Sequence, residues 1–275
     1  MNKLKELYKE ISSSIWDRIP FSYNIGFRYS EVTITENLLF DIHKFNVNNP
    51  TLKINIYEAK NEQEIQQYIK FNINNPSLAI NIFEAKNEKA NGNDLELCLE
   101  IEPSKYVILV IQAKKLYFTT QKYRSISHKV NDKYQIELLE DYAKREKAIP
   151  LYMFYNYAPD FKNKNQKYYG CTLAFSQFIK ENYYLKVSPV SWKIPTFDEL
   201  HQKHHAIPLH TLALNGLKIK KTIDNYCKNY NVYTKSELIN NNRWIEISDK
   251  NNQDFSKYIS DEFEPKYRVI LGENK

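Results

Sequence analysis

Residues 94–115, DLELCLEIEPSKYVILVIQAKK, carry the pattern that fixes the fold class. From Asp94 to Ile101 apolar and polar side chains alternate: Leu95, Leu97, Leu99 and Ile101 against Asp94, Glu96, Cys98 and Glu100. That is the period of a β-strand. Tyr106–Lys114 is apolar as far as Ile111 and then turns polar, as expected of a strand buried on both faces whose end opens on a cleft. Pro103-Ser104 connects the two. Facing residues of an antiparallel pair point to the same side of the sheet, about 4.5–5.5 Å apart. A hairpin centred on Pro103-Ser104 makes paired residue numbers sum to about 207. Even sums, 206 or 208, set Asp94 opposite Gln112 or Lys114, which share a face, with Glu96 one pleat further along the same side. The hairpin therefore predicts a carboxylate, an amide oxygen and an ammonium at one strand end.

Working outward, the spacing of Leu4, Leu7, Tyr8, Ile11 and Ile15 predicts a helix over 3–17. A second helix is expected after Thr35, read as its N-cap, with Glu31 just before it. Next comes a tandem repeat: 44–62, KFNVNNPTLKINIYEAKNE, and 70–88, KFNINNPSLAINIFEAKNE, offset by 26 residues and identical at 15 of 19 positions. Each copy reads as an Asn-Asn-Pro turn leading into a strand, Leu52–Ala59 or Leu78–Ala85. Two copies are too few for a solenoid, so the repeat reads as a local duplication, with the second copy leading into the hairpin. Ile136, Leu139, Tyr142 and Ala143 form a helical stripe within 134–147, and Pro150–Tyr157 reads as a buried strand. The last strand–helix–strand crossover implies parallel pairing in a mixed sheet. Beyond a soft boundary near 158, Pro189, Pro195 and Pro208 break the chain into short pieces. Gly216–Tyr230 reads as helical, and Thr234 with Glu237 as a capping box. The fold class is thus α/β with a mixed α+β sheet: a core over 1–157 and a helix-rich C-terminal extension over 158–275.

With 275 residues, 42% hydrophobic and 26% charged, the chain can bury a core, which excludes collagen-like, wholly disordered and membrane-embedded classes. The longest apolar run, Val107–Ile111, is far short of the ~20 residues a spanning helix needs, and residues 1–20 are too charged for a secretory signal. Cys98, Cys171 and Cys227 have no CxxC spacing and read as reduced thiols of a cytosolic protein. The net charge is +6, and most of the excess lies in 203–243, with seven basic residues against Asp224 and Glu237. That stretch is a solvated helix face or a surface for phosphates, with Lys218, Lys220 and Lys221 as the candidate contacts.

An aspartate, an amide oxygen and a lysine at a strand end suit metal-assisted phosphodiester hydrolysis. Hard oxygen ligands hold Mg²⁺, the ion activates water, and a neighbouring lysine orients the nucleophile or offsets charge. Asp94, the hairpin and Gln112-Ala113-Lys114 resemble the PD-(D/E)XK nuclease superfamily. The closest likeness is to its subset with Gln in place of the second acidic residue, as in Mrr-like type IV restriction enzymes. The order of elements over 30–157 matches that superfamily's restriction-endonuclease-like αβββαβ core. The stretches EAKNEKANGNDLELCLEI, VIQAKKL and IELLEDYAKREKAIPLYMFYNY also look like an uncharacterised bacterial family of this kind.

The resemblance implies that Asp94 and Gln112 bind Mg²⁺ or Mn²⁺ with the Ala113 carbonyl, and that Lys114 is the motif lysine. It implies a helix glutamate at Glu31, with Glu84 as its competitor and Glu96 beside Asp94, and a cleft-lining glutamine at Gln135. It further implies an endodeoxyribonuclease acting on double-stranded DNA, in defence against foreign DNA, with dimerisation favoured by double-strand cutting. Two departures stand: Asn93 rather than Pro precedes Asp94, and neutral Gln112 leaves the site less negative. Rival readings are a zinc site among His201, His204, His205 and His210, nucleophilic chemistry at Ser125 and His128, and a nucleic-acid-binding or assembly module that keeps the fold without cleaving. Five glycines leave no Walker loop or dinucleotide fingerprint.

Overall fold

The structure, a computed structural model, describes residues 2–24, 30–49, 52–58, 94–117, 119–130, 132–157, 170–185, 191–201, 206–213, 216–240 and 267–273. The second repeat copy, Glu84 and the Asn91-Gly92-Asn93 turn lie outside them. Among the described residues one mixed sheet is built from β1 (Leu52–Glu58), β2 (Leu95–Glu102), β3 (Lys105–Lys115), β6 (Ile149–Asn156), β7 (Gly170–Phe175), β10 (Ile207–Pro208) and β11 (Tyr267–Glu273). Its strand order is β1-β11-β2-β3-β6-β7-β10. Two short pairs stand apart: β4 (Lys129–Val130) with β5 (Lys133–Tyr134), and β8 (Tyr184–Leu185) with β9 (Ser191–Trp192). The helices are α1 (Asn2–Asn24), α2 (Glu31–Asn48), α3 (Gln135–Glu146), α4 (Ser176–Tyr183), α5 (Phe197–His201), α6 (Gly216–Tyr226) and α7 (Lys235–Asn240).

The alternation along β2 sorts the core onto two faces. Leu95, Leu97 and Leu99 join Leu109, Ile111, Met153 and Tyr155 beneath Leu7, Ile11, Ile15 and Leu38 of α1 and α2. Cys98, Ile108, Val110, Tyr152 and Phe154 face the other way, against Ile136, Leu139 and Ala143 of α3 and Ile179 of α4. Helices thus cover both faces of the sheet, so the central strands read as apolar runs rather than strict alternation. The β3–α3–β6 crossover pairs β3 and β6 in parallel, with Gln112 level with Tyr152 and Lys114 level with Phe154. Gly170, at φ +77°, opens β7 where a Cβ would lie 1.7 Å from the Ser12 carbonyl oxygen, so α1 packs there against bare backbone.

Several expectations are corrected. The sheet does not stop near 158, because β7, β10 and β11 all belong to it, and β11 lies between β1 and β2. The region beyond 158 carries α4, α5, α6 and α7, in keeping with a helix-rich extension, and also completes the sheet. Thr35 is not an N-cap. Ser30 takes that role, its hydroxyl accepting the Thr33 N–H at 3.1 Å, while Thr35 lies buried inside α2 and bonds the Tyr155 hydroxyl at 2.7 Å. Helix α1 runs past Pro20 to Asn24, and α6 ends at Tyr226. The Thr234–Glu237 capping box is present, with both reciprocal N–H bonds.

A buried polar chain ties the later elements together. The Tyr123 hydroxyl donates to Asn156 Oδ1, Asn156 Nδ2 donates to Thr172 Oγ1 at 3.0 Å, and Thr172 meets His201 Nε2 at 2.9 Å. His201 Nδ1 lies 2.7 Å from the Phe197 carbonyl, which can only accept, so Nδ1 carries the proton and Nε2 accepts from Thr172. Each donor and acceptor role is thereby assigned. Burial lowers the His201 pKa from 6.5 to about 4. The unfolded chain takes up the proton first as pH falls, so the stability of the neutral network is fully present above pH 6.5 and is lost between about 6.5 and 4. Urea unfolding should show a loss of ~1.4 kcal/mol per pH unit across that window beyond that of His201→Gln. Parallel pH profiles for the two proteins would contradict this assignment.

Candidate active site

The hairpin turn decides what meets at the strand end. Pro103 and Ser104 form a two-residue connection between Glu102 and Lys105, with Ser104 at φ +59° and its N–H on Glu100 Oε1 at 2.7 Å. At the turn the paired numbers, Glu102 and Lys105, sum to 207. The register then shifts between Glu100 and Glu102, and from Glu100–Tyr106 to Leu95–Ile111 every pair sums to 206. This single-residue irregularity pairs Leu95 with Ile111, and the next residue, Asp94, bonds the Ile111 carbonyl through its N–H at 2.9 Å and the Gln112 amide through its carboxylate.

Asp94 is half-buried, and Gln112 and Lys114 are buried at 3% and 2% exposure. Asp94 Oδ2 accepts from Gln112 Nε2 and, at 2.7 Å, from the Ala113 N–H. Gln112 Nε2 also lies 3.4 Å from the Ala113 carbonyl oxygen. The other polar atom of that amide, Gln112 Oε1, is buried without a hydrogen-bond partner. Lys114 Nζ donates to Gln135 Oε1 at 2.6 Å, so the first residue of α3 holds the Lys114 amine. Desolvation lowers the Lys114 pKa, opposed by the negative charges of Glu31 and Asp94. Glu31, the first residue of α2, accepts the Lys115 N–H at 2.9 Å and the Ser125 hydroxyl at 2.7 Å.

The structure therefore brings Asp94, Gln112, Ala113, Lys114, Glu31 and Gln135 to one strand end. Glu96 is on the same face but deeper: it is 1% exposed, and Oε1 accepts the Tyr142 hydroxyl of α3 at 2.6 Å. Lys220 lies at the opposite end of β2, paired with Glu102 beside the hairpin turn at 3.4 Å. Eight strand residues, ~26 Å, separate that end from Asp94. The candidate phosphate surface at Lys218, Lys220 and Lys221 is thus on α6, which packs on β2, away from the strand-end cluster. Charge density along the sequence could not show which end of the sheet that helix covers.

Two residues were missed as members of the cluster. Ser125, read only as a nucleophile beside His128, orients Glu31. Tyr152 is level with Gln112, has a buried hydroxyl without a hydrogen-bond partner, and feels the Asp94 charge. Its place in PLYMFYNY carried no signal beyond that of a buried strand. Of the histidine group, His201 is engaged in the buried chain described above, and His204 and His205 lie outside the described residues. Among the described residues, no three His, Cys, Asp or Glu side chains gather as a metal-ligand group. No helix among them is long and apolar enough to cross a membrane.

A family model described as "Family of unknown function (DUF6615)" matches residues 65–270, well over half of the chain. The chain belongs to that family. No curated protein and no solved structure matches it.

Tyr142→Phe would leave the Glu96 carboxylate buried with one donor fewer. The expected loss is ~1.5–3 kcal/mol in urea unfolding at unchanged m-value. A loss within a few tenths would show that the bond contributes little.

Proposed function

We propose that the chain is a metal-dependent nuclease that hydrolyses phosphodiester bonds, with DNA as its substrate and Mg²⁺ or Mn²⁺ as its cofactor. The observation that carries this reading is the convergence of Asp94, Gln112, Lys114, Glu31 and Gln135 at one strand end, with a buried amide oxygen left over at Gln112. That orphaned oxygen, the Asp94 carboxylate and the Ala113 carbonyl are hard donors of the kind Mg²⁺ selects. They fit the ion, and Glu31 is the adjacent carboxylate. When bound, the ion supplies an activated water and stabilises charge on the phosphate. Asp94 orients the hairpin end by holding the Ala113 N–H and the Gln112 amide. Lys114 Nζ, drawn toward neutrality by burial, is placed to orient the attacking water or to hold its proton. Gln135 fixes that amine, and Ser125 fixes the Glu31 carboxylate.

The likeness to the PD-(D/E)XK superfamily points the same way, and a role in restricting foreign DNA rests on that likeness alone. We place the protein in the cytosol, where Cys98, Cys171 and Cys227, none of them in a disulfide, stay reduced. One observation favours a second reading, a nucleic-acid-binding module that does not cleave: Asp94 Oδ2 already accepts two N–H donors. Cleavage of a supercoiled plasmid separates the two. The nuclease requires Mg²⁺ or Mn²⁺ and loses at least ~100-fold in rate with Asp94→Ala or Lys114→Ala, each checked for folding by circular dichroism. Binding of DNA without cleavage in either metal would favour the module.

A further inference from the structure

We infer that the described residues of the connection from β3 to α3, 116–117, 119–130 and 132–134, form the surface that holds the phosphate backbone of a nucleic-acid duplex beside the strand-end cluster. The inference deepens the proposed nuclease reading and rests on it for the identity of the anion. The segment departs next to Lys114 and returns at Gln135, whose side chains meet at 2.6 Å, so it is a loop closed on the cluster itself. Ser125, midway along it, bonds Glu31 at 2.7 Å. Lys122, Arg124, Lys129 and Lys133 are all exposed, against the single carboxylate of Asp132. Among the described residues no carboxylate pairs with any of these four cations, whereas Lys220, the rival candidate for the phosphate, is paired with Glu102.

The loop is also built to hold its charges in place. Tyr123 and Ile126 are buried anchors, and the Tyr123 N–H bonds the Pro195 carbonyl at 3.1 Å. The Tyr117 N–H bonds the Lys122 carbonyl at 3.0 Å, and β4 pairs with β5. A cation displayed on fixed backbone loses less freedom on binding than one on a mobile arm. The choice of a duplex follows from the aromatic rings. Tyr134, Tyr184 and Trp192 pack on one another with centroids 5.0–5.7 Å apart, and Lys129 Nζ lies 4.6 Å from the centre of the Tyr134 ring, so these rings are engaged with one another and with a cation rather than offered to unpaired bases. What the loop presents outward is charge, which reads phosphates irrespective of sequence.

The test measures binding of the full chain, carrying Asp94→Ala to prevent cutting, to a fluorescent 30-base-pair duplex in EDTA across a salt series. The variant Lys122→Gln/Arg124→Gln/Lys129→Gln/Lys133→Gln should bind at least ~10-fold more weakly. Its log K against log salt slope should shrink by about 2–4, at ~0.9 for each phosphate that the variant leaves unneutralised. Lys218→Gln/Lys220→Gln/Lys221→Gln should stay within twofold of the parent, and a single strand of equal length should bind more weakly than the duplex. Unchanged affinity in the first variant, weakening confined to the second, or preference for the single strand would each overturn the inference. A wild-type chain that binds through this loop yet never cuts in Mg²⁺ or Mn²⁺ would uphold it while removing the nuclease reading.

Discussion

The Asp94 carboxylate, accepting N–H donors from Gln112 and Ala113, is the interaction on which the strand-end cluster depends. It exists because one residue is gained on β2 between Glu100 and Glu102, which converts the turn's pairing sum of 207 into 206. Without that shift Asp94 would stand opposite Ala113 and point to the α1–α2 side of the sheet. A one-residue slip sends every side chain of a strand to the other face. Gln112 and Lys114 would remain under α3 without their carboxylate.

Burial sets the chemical character of the cluster. Lys114 is 2% exposed, and desolvation works against its charge. A buried ammonium persists only where hydrogen bonds and opposite charges compensate for the water it gives up. Gln135 supplies the bond, and Asp94 and Glu31 supply the charge. Burial pulls the Lys114 amine toward its neutral form, and the two carboxylates pull it back. The same surroundings make it an expensive residue to keep for packing alone.

Much of this was legible in the sequence, because the information is local. The alternation of Leu95 to Ile101, the Pro103-Ser104 connection and the polar switch at Gln112 lie within one hairpin, where the turn narrows the register to a few choices; the one-residue shift between Glu100 and Glu102 that selects among them was not legible. The α3 stripe emerged as expected, with Ile136, Leu139, Tyr142 and Ala143 all buried. Pairings across long separations were not legible. Strand β11, Tyr267–Glu273, lies between β1 and β2, and Glu31 reaches Ser125 across 94 positions. Nothing in a run such as YRVILGE names its neighbour, since pairing of distant strands is settled by the sheet as a whole. The place of the basic stretch 203–243 was equally illegible: its Lys220 pairs with Glu102, at the end of β2 far from Asp94.

Diffraction from a crystal of the full chain soaked in Mn²⁺, recorded at the manganese absorption edge, probes the cluster most directly. The expected result is an anomalous peak within bonding distance of both the Asp94 carboxylate and the Gln112 side-chain oxygen. A saturating soak with no peak there, or with a peak only at the histidines between 201 and 210, would contradict a metal-dependent site at this strand end.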